Sequence, residues 1–196
     1  MNKSIVYDRV FLHISEMKKA GDKYVFLEKD EHGSLLGDIR VEAAKILIKQ
    51  KRVGTIITVG GPTLDRKESK AKLVAKMIPN GVKVVALDSQ PNTGGNLKAI
   101  MDYLSNEKVG INAFLTNYYH IPRLLKLILQ NGTSVIAGGS MLVPLCAEAV
   151  LLTDSETWAE KIREWYSDKF MLKRIISEIQ GLSHLEQNKY SSYRKK

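Results

Sequence analysis

Short runs of consecutive apolar residues alternate along the chain with longer stretches whose apolar positions recur at helical spacing. The nearly continuous β-branched run at residues 55–59 is typical of a strand that is buried on both faces. In residues 38–50 the apolar positions recur every three or four residues, which predicts an amphipathic helix with Asp38 as its N-cap. The same pattern predicts strands at residues 10–14, 24–27, 55–59, 82–87, 111–116 and 133–137, and helices at residues 38–50, 65–78, 93–106 and 122–131.

The repeated order of strand, helix and strand predicts the fold class. Consecutive strands that are joined through a helix run parallel, and the helices then cover both faces of the sheet. We therefore predict a doubly wound, three-layer α/β/α domain with a mostly parallel sheet of about five strands.

After residue 153 the pattern changes to helices only. Thr153 and Glu156 form a capping-box sequence ahead of one amphipathic stretch, and Asp168 opens a second stretch that ends at Gly181. Residues 189–196 contain four basic and no acidic residues, which is typical of a solvated tail. The predicted organisation is an α/β domain at 1–153, a helical extension packed on it at 154–181, and a basic, flexible tail at 182–196.

Composition narrows the class of protein. Among 196 residues, 44% are hydrophobic and 26% charged, which excludes intrinsic disorder for most of the chain. The net charge of +9 favours an anionic partner, whether a phosphate-bearing small molecule, nucleic acid or a membrane surface. A single cysteine, Cys146, favours a reducing, cytoplasmic location. No signal peptide is recognisable, and the longest apolar run, residues 141–153, is too short to span a bilayer.

Polar residues gather in three segments that each follow a predicted strand. Because the carboxyl ends of parallel strands lie at one edge of a sheet, we expect these segments to meet there. They are Gly60-Gly61-Pro62-Thr63 with Glu68, then residues 88–96 with Asn92, Thr93 and Asn96, and then residues 117–123 with His120 and Arg123.

Two features of these segments favour a ligand without requiring one. Gly94 and Gly95 occupy a predicted first helical turn, either because the backbone approaches a phosphate or ribose, or because a tight turn needs them. Arg123 lies in the first turn of a helix, where the helix dipole opposes a cation. Either an anionic ligand or an internal carboxylate, Glu68 or Asp88, then offsets its charge.

His120 and Glu68 are the residues that we expect to handle protons. His120 is the only histidine in one of the three segments, although a lone histidine is also a common structural residue. No nucleophile elbow, phosphate-loop lysine motif or zinc-binding histidine pair occurs, and no metal site is predicted.

Taken together, these segments resemble the YdcF-like family, which includes the SanA-like and ElyC-like envelope proteins and whose domain has no established function. The resemblance covers roughly residues 10–137, and Arg40 falls where the family usually has an arginine. The first strand departs from the family because it leads into His13-Ile14-Ser15-Glu16 rather than a glycine-rich turn. The matching segments are Gly60-Gly61, Glu68-Ser69-Lys70-Ala71, Asn92-Thr93-Gly94-Gly95-Asn96 and residues 116–123, Thr-Asn-Tyr-Tyr-His-Ile-Pro-Arg.

The resemblance implies a Rossmann-like sheet and a nucleotide-like ligand, with S-adenosylmethionine as a candidate. The leading hypothesis is a cavity that binds a nucleotide-like or phosphorylated anion, with His120 and Glu68 as the catalytic pair. Alternatives are a hydrolase or transferase acting on a phosphorylated or glycosyl envelope precursor, and a non-catalytic module that binds a partner through the C-terminal helices. Nucleic-acid binding is not favoured, and the reaction and the oligomeric state stay open. The expected ligand-binding residues are Gly60, Gly61, Asn92, Thr93, Asn96, Arg123 and Arg40.

Overall fold

A five-stranded, fully parallel sheet forms the centre of the protein in the computed structural model, which describes residues 5–131 and 140–186. The strands are β1 (Tyr7–His13), β2 (Met17–Ala20), β3 (Lys23–Phe26), β4 (Lys29–Asp30), β5 (Gly33–Ser34), β6 (Val53–Gly60), β7 (Lys83–Asp88), β8 (Ile111–Thr116) and β9 (Met141–Cys146). The helices are α1 (Gly37–Lys49), α2 (Lys70–Ala75), α3 (Thr93–Leu104), α4 (Ile121–Asn131), α5 (Ala147–Leu152), α6 (Thr157–Ser167) and α7 (Lys169–Glu186), with a 3-10 turn at Tyr118–His120.

The strand order of the main sheet is β7-β6-β1-β8-β9. The chain moves outward from β1 through β6 to β7, and then returns to the other side of β1 for β8 and β9. This reversal next to β1 is where open α/β sheets form a ligand crevice at their carboxyl ends. The predicted three-layer α/β fold with C-terminal helices is confirmed. Two small hairpins, β2 with β3 and β4 with β5, lie between β1 and α1.

Both faces of the sheet are buried, which explains the continuous apolar runs of its strands. In β1, Val10 and Leu12 pack on the face that α1, α2 and α5 cover, whereas Phe11 packs on the opposite face against residues of α3 and α4. In β6, Ile56 and Ile57 divide between the two faces in the same way.

The helix predicted at residues 65–78 is much shorter in the structure. The hydroxyl of Thr63 donates to Asp65 Oδ1 at 2.6 Å, and Arg66 has a φ of 57°, so residues 63–68 form a turn instead of a helix. Ser69 is the N-cap, and its side chain accepts a hydrogen bond from the backbone N–H of Lys72. Asp38 is not the N-cap of α1 either, since Leu36 occupies that position with a φ of 45°.

The C-terminal part of the chain also departs from the predictions. Thr153 ends α5, and its hydroxyl donates to the carbonyl of Val150 at 2.7 Å, so it does not cap α6. Gly181 lies buried inside α7, which continues to Glu186. The fifth strand is β9, and the strand predicted at residues 133–137 lies outside the described residues.

None of the helices in the described ranges is long and apolar enough to cross a membrane.

Candidate functional site

A polar cavity of about 210 Å³ lies at the carboxyl edge of the sheet. The cavity is lined by residues of β1, of the C-terminal end of β6 and of the N-terminal end of α3. The 3-10 turn after β8 and helices α1, α4 and α7 also contribute to the lining. The loops that were expected to converge therefore do so around one cavity. Of the predicted site residues, those that line it are Gly60, Gly61, Asn92, Thr93, Asn96, His120, Arg123 and Arg40.

Glu68, in contrast, lies outside the cavity. Its side chain is exposed, in the turn ahead of α2, and its backbone carbonyl accepts from the N–H of Thr63 at 2.9 Å. Asp88, the other carboxylate considered for Arg123, is bound by the hydroxyl of Ser69 and lies 3.7 Å from Lys72 Nζ. Neither carboxylate is placed to pair with Arg123 or His120.

Glu178 of α7 takes the place that the sequence reasoning gave to Glu68. Its Oε2 lies 3.0 Å from His120 Nδ1 and 3.0 Å from Arg123 Nε, and only 5% of the residue is exposed. Burial alone raises the pKa of a carboxyl, but His120, Arg123 and Arg174 together hold the pKa of Glu178 below its usual value. Glu178 is therefore ionised at neutral pH.

The hydrophobic pattern of the sequence does not identify Glu178, because the face of α7 that is buried in the structure carries two charged residues. The buried positions of α7 are Met171, Arg174, Glu178, Gly181 and Leu185, which recur every three or four residues. Two of these core-facing positions carry charge, and charged side chains are rarely buried unless they are paired. The arrangement therefore points to partners elsewhere in the fold, and for Arg174 that partner is Asp30.

Two histidine rings stack inside the cavity. The centroids of His13 and His120 are 5.1 Å apart, with 17° between the ring planes. Burial, together with Arg123 and Arg40, lowers the pKa of His120 to about 4, and Glu178 offsets only part of this effect. Burial and Arg40 also lower the pKa of His13 well below its ordinary value. Both rings are therefore neutral at pH 7.

The hydrogen bonds assign the protons on these rings. Arg40 Nη1 lies 3.1 Å from His13 Nδ1, and since arginine only donates, His13 carries its proton on Nε2. Two groups contact His120 Nδ1: ionised Glu178, which only accepts, at 3.0 Å, and Arg123 Nη2, which only donates, at 3.3 Å. The carboxylate is the closer of the two, so we assign the proton to Nδ1, which donates to Glu178. The lone pair of His120 Nε2 is then left facing the hydroxyl of Thr93, 3.3 Å away.

Arg40 is the least compensated of the cations that line the cavity. Only 3% of it is exposed, and it donates to Asn117 Oδ1, to the carbonyl of His13 at 3.1 Å and to the Tyr119 hydroxyl at 3.0 Å. Within the described residues it contacts no carboxylate directly. The nearest anion in this network is Glu148, which accepts from the Asn117 amide at 3.1 Å. The other lining cations each pair with an acid: Lys70 with Glu16, Arg174 with Asp30, and Arg123 with Glu178.

Arg123 Nε forms no hydrogen bond within the described residues, although it lies 3.0 Å from Glu178 Oε2, and Ser15 supplies a further unmatched group. Its residue is 6% exposed and lines the cavity, yet within the described residues its Oγ has no hydrogen-bond partner. A buried hydroxyl without a partner costs about 1–3 kcal/mol. A ligand with hydrogen-bonding oxygens would remove that cost.

Two of the glycines in these segments, Gly95 and Gly61, are required for close packing. A Cβ on Gly95 would lie 2.4 Å from Cβ of Gln90, and one on Gly61 would lie 2.9 Å from the carbonyl oxygen of Ser89. The side chain of Asn92 caps α3 by accepting from the N–H of Gly95 at 2.7 Å. For Gly95 the tight-turn explanation therefore suffices.

The part of the chain that the structure describes contains no group of three or more histidine, cysteine or acidic side chains placed to hold a metal ion. Comparisons with protein-family models, with curated proteins and with solved structures found no match to this chain.

Proposed function

We propose that this chain binds a phosphorylated, anionic small molecule in the cavity at the carboxyl edge of its sheet. The observation that carries the proposal is Arg40, a buried guanidinium beside the cavity whose direct partners in the described chain are all neutral. A buried charge costs several kcal/mol unless an opposite charge compensates it. An anionic ligand supplies that opposite charge in direct contact, whereas Glu148 is connected to Arg40 only through the side chain of Asn117.

The donors around the cavity favour phosphate over a carboxylate alone. Arg40, Arg123 and the unpartnered hydroxyl of Ser15 all line it, as does His13, whose ring N–H is at Nε2. The first residues of α3, a helix of 12 residues, add the positive end of a helix dipole. A phosphate group has enough acceptor oxygens to use donors from several directions, and arginine matches its geometry well.

The size of the cavity limits how much of a ligand is enclosed. Pockets that bury a drug-sized ligand measure about 300–1,000 Å³, against about 210 Å³ here. The cavity suits a phosphorylated end, with any larger nucleoside or sugar portion lying towards the open side. Two kinds of candidate differ in the anionic group that would enter the cavity. A nucleotide or a sugar phosphate would place a phosphate there, whereas S-adenosylmethionine would place a carboxylate there.

The resemblance to the YdcF-like family and a cytoplasmic location belong to the same proposal and rest on the sequence alone. The hydrolase or transferase alternative uses the same cavity, with His120 as the group that handles protons. The interaction-module alternative makes a different prediction, namely that no small anion stabilises the folded protein.

Thermal unfolding and titration calorimetry with inorganic phosphate, AMP, ribose 5-phosphate and S-adenosylmethionine test the proposal. A ligand at about 100 times its Kd stabilises the folded state by roughly 2.7 kcal/mol. We expect stabilisation by inorganic phosphate and by at least one phosphorylated compound. If all four leave the melting temperature unchanged, the proposal is wrong.

Ser15→Ala is the informative variant, because it separates binding from stability. Since the Ser15 hydroxyl has no partner in the described chain, its removal is expected to leave the unliganded protein equally or more stable. Phosphate binding should nevertheless weaken, by roughly threefold to tenfold for one lost hydrogen bond. Arg40→Gln should weaken phosphate binding further. Arg52→Gln is the charge-matched control, because Arg52 lies just before β6, at the end of that strand opposite the cavity.

A further inference from the structure

Three side chains beside the cavity form a continuous line of contacts. Thr93 Oγ1 lies 3.3 Å from His120 Nε2, and His120 Nδ1 lies 3.0 Å from Glu178 Oε2. The hydroxyl and the carboxylate thus engage the two different nitrogens of one imidazole ring. The three residues come from α3, the 3-10 turn and α7, and they are 6%, 3% and 5% exposed.

This order of hydroxyl, imidazole and carboxylate is the arrangement that activates a nucleophilic hydroxyl. The carboxylate holds the proton on the far ring nitrogen, so the near nitrogen has a lone pair for the proton of the hydroxyl. In this site, ionised Glu178 fixes the proton of His120 on Nδ1, and the lone pair on Nε2 faces Thr93.

The surroundings of Thr93 favour negative charge on and beside its oxygen. Arg123 Nη2 lies 3.4 Å from Thr93 Oγ1. Thr93 is also the first residue of α3, where the helix dipole is positive. The unpartnered hydroxyl of Ser15 and the buried guanidinium of Arg40 line the same cavity and offer donors to a transferred group.

We propose that Thr93 is a nucleophile that accepts a phosphoryl group from a bound phosphomonoester, with His120 as its general base and Glu178 as the residue that orients His120. This inference rests on the proposed function, because the cavity must first bind the phosphorylated compound. It adds a reaction class, phosphoryl transfer through a covalent phosphothreonine.

The reaction balances with water as the second substrate. Thr93 Oγ attacks phosphorus and forms an O–P bond, while its proton passes to His120 Nε2. The bond from phosphorus to the ester oxygen breaks, the electron pair leaves with that oxygen, and His120 returns the proton to it. Water then attacks phosphorus, gives a proton to His120, and the bond to Thr93 Oγ breaks as the threonine recovers that proton. The products are an alcohol and inorganic phosphate.

The charge around His120 couples its basicity to the ligand. In the free protein, burial and the arginines outweigh Glu178 and keep the pKa of His120 low. A phosphate beside these arginines offsets their charge, so binding raises the pKa of His120 and makes it a stronger base. The groups that face His120 are Thr93 from α3, Glu178 from α7, Arg123 from α4, Arg40 from α1, His13 from β1 and the adjacent Tyr119. Arg174 of α7 acts on Glu178 and Tyr119.

The experiment uses p-nitrophenyl phosphate, whose leaving group is coloured. The full chain is incubated with it and quenched in acid, and the modified residue is located by peptide mass spectrometry. We expect release of nitrophenolate and a phosphoryl group on Thr93. Thr93→Val keeps the shape but lacks the hydroxyl, so turnover should fall by at least about 10²-fold, whereas Thr93→Ser should keep activity.

Thr157→Val is the matched control, because Thr157 is the first residue of α6 just as Thr93 is of α3, but it is exposed. Its activity should equal that of the unchanged chain. Calorimetry with inorganic phosphate on Thr93→Val shows whether the binding cavity survives the substitution.

The outcomes separate the two proposals. If the unchanged chain binds phosphate but does not hydrolyse the ester, or if Thr93→Val hydrolyses it at the unchanged rate, the nucleophile is refuted while phosphate binding stands. If phosphate and the ester do not bind but AMP or ribose 5-phosphate does, the nucleophile is refuted and the binding proposal stands; if none of these compounds nor S-adenosylmethionine binds, both proposals are wrong. Phosphothreonine at position 93, lost in Thr93→Val and slowed in His120→Asn, supports the inference.

Discussion

Glu178→Gln tests whether the buried contacts of Glu178 with Arg123 and His120 hold α7 against the α/β domain. The substitution removes one negative charge and preserves the shape, while glutamate and glutamine have similar helix propensities. Glu186→Gln is the matched control, since Glu186 also lies on α7 and also pairs with a cation of α4, Lys126, at 3.6 Å. The two pairs differ in burial: the side chain of Glu178 is 6% exposed and that of Glu186 is 65% exposed.

Burial sets the expected difference between the two variants. Removing one partner of a buried ion pair costs about 3–5 kcal/mol, because the other charge stays behind uncompensated. The Arg123 side chain is 18% exposed, and glutamine keeps an oxygen that accepts from His120, so the cost lies below that range. We expect Glu178→Gln to lower the free energy of unfolding by about 2–3 kcal/mol, and Glu186→Gln by about 0–1 kcal/mol.

Urea unfolding at pH 7, followed by circular dichroism, measures both values. At this chain length, a loss of 2–3 kcal/mol corresponds to a fall in Tm of roughly 4–12 °C, so thermal unfolding provides an independent check. Equal effects of the two substitutions, within about 0.5 kcal/mol, would refute the reasoning that Glu178 is a buried partner of Arg123 and His120.

The pH dependence gives a second readout with a defined sign. Because the pKa of Glu178 is lower in the folded state, its charge stabilises the fold above the unfolded-state pKa of about 4.3. That contribution is lost as pH falls through the folded-state pKa. The stability difference between the unchanged chain and Glu178→Gln should therefore be constant from pH 7 to pH 5 and shrink below about pH 4.3.

Three further substitutions have defined outcomes. Arg123→Ala should weaken phosphate binding about tenfold or more in the folded fraction, measured by calorimetry, whereas Lys126→Ala on the same helix should not. His120→Asn should keep the fold and phosphate binding but reduce turnover of p-nitrophenyl phosphate by about 10²–10⁴-fold in steady-state assays. Gly95→Ala would place a Cβ 2.4 Å from Cβ of Gln90, so it should destabilise the fold, by about 1–3 kcal/mol in urea unfolding.

The order of elements in the α/β domain follows from the sequence because the relevant signals are local. The β-branched run of β6 and the apolar residues of β8 need only their neighbours along the chain to be recognised as strands buried on both faces. Parallel strands joined by helices have few topologies, and all of them bring the loops after the strands to one edge. This is why Gly60, Asn92 and His120, far apart in sequence, were expected around one site and line one cavity.

Turn chemistry limited the prediction of the second helix. Residues 65–78 have helical periodicity, but Asp65 accepts hydrogen bonds from the Thr63 hydroxyl and the Lys67 N–H, which fixes a turn. Aspartate competes with the helix backbone for such bonds, so the helix begins only after Ser69. Glu68 consequently falls in the exposed turn and not beside the site.

Only the tertiary structure decided which face of α7 is buried. The helix has apolar residues on more than one side, and Leu172, Ile176 and Ile179 are 58%, 48% and 59% exposed, whereas Arg174 and Glu178 are buried. Hydrophobic periodicity predicts burial of the apolar side of the helix. It reflects only the free energy of transferring side chains from water and takes no account of the partners that charged side chains find in the fold. The fold reverses this preference because Asp30 pairs with Arg174, while Glu178 pairs with Arg123 and accepts a hydrogen bond from neutral His120. Hydrophobic pattern and topology therefore determined the sheet and the edge at which the site lies, whereas the carboxylate that completes the site depended on charges that meet only in the folded chain.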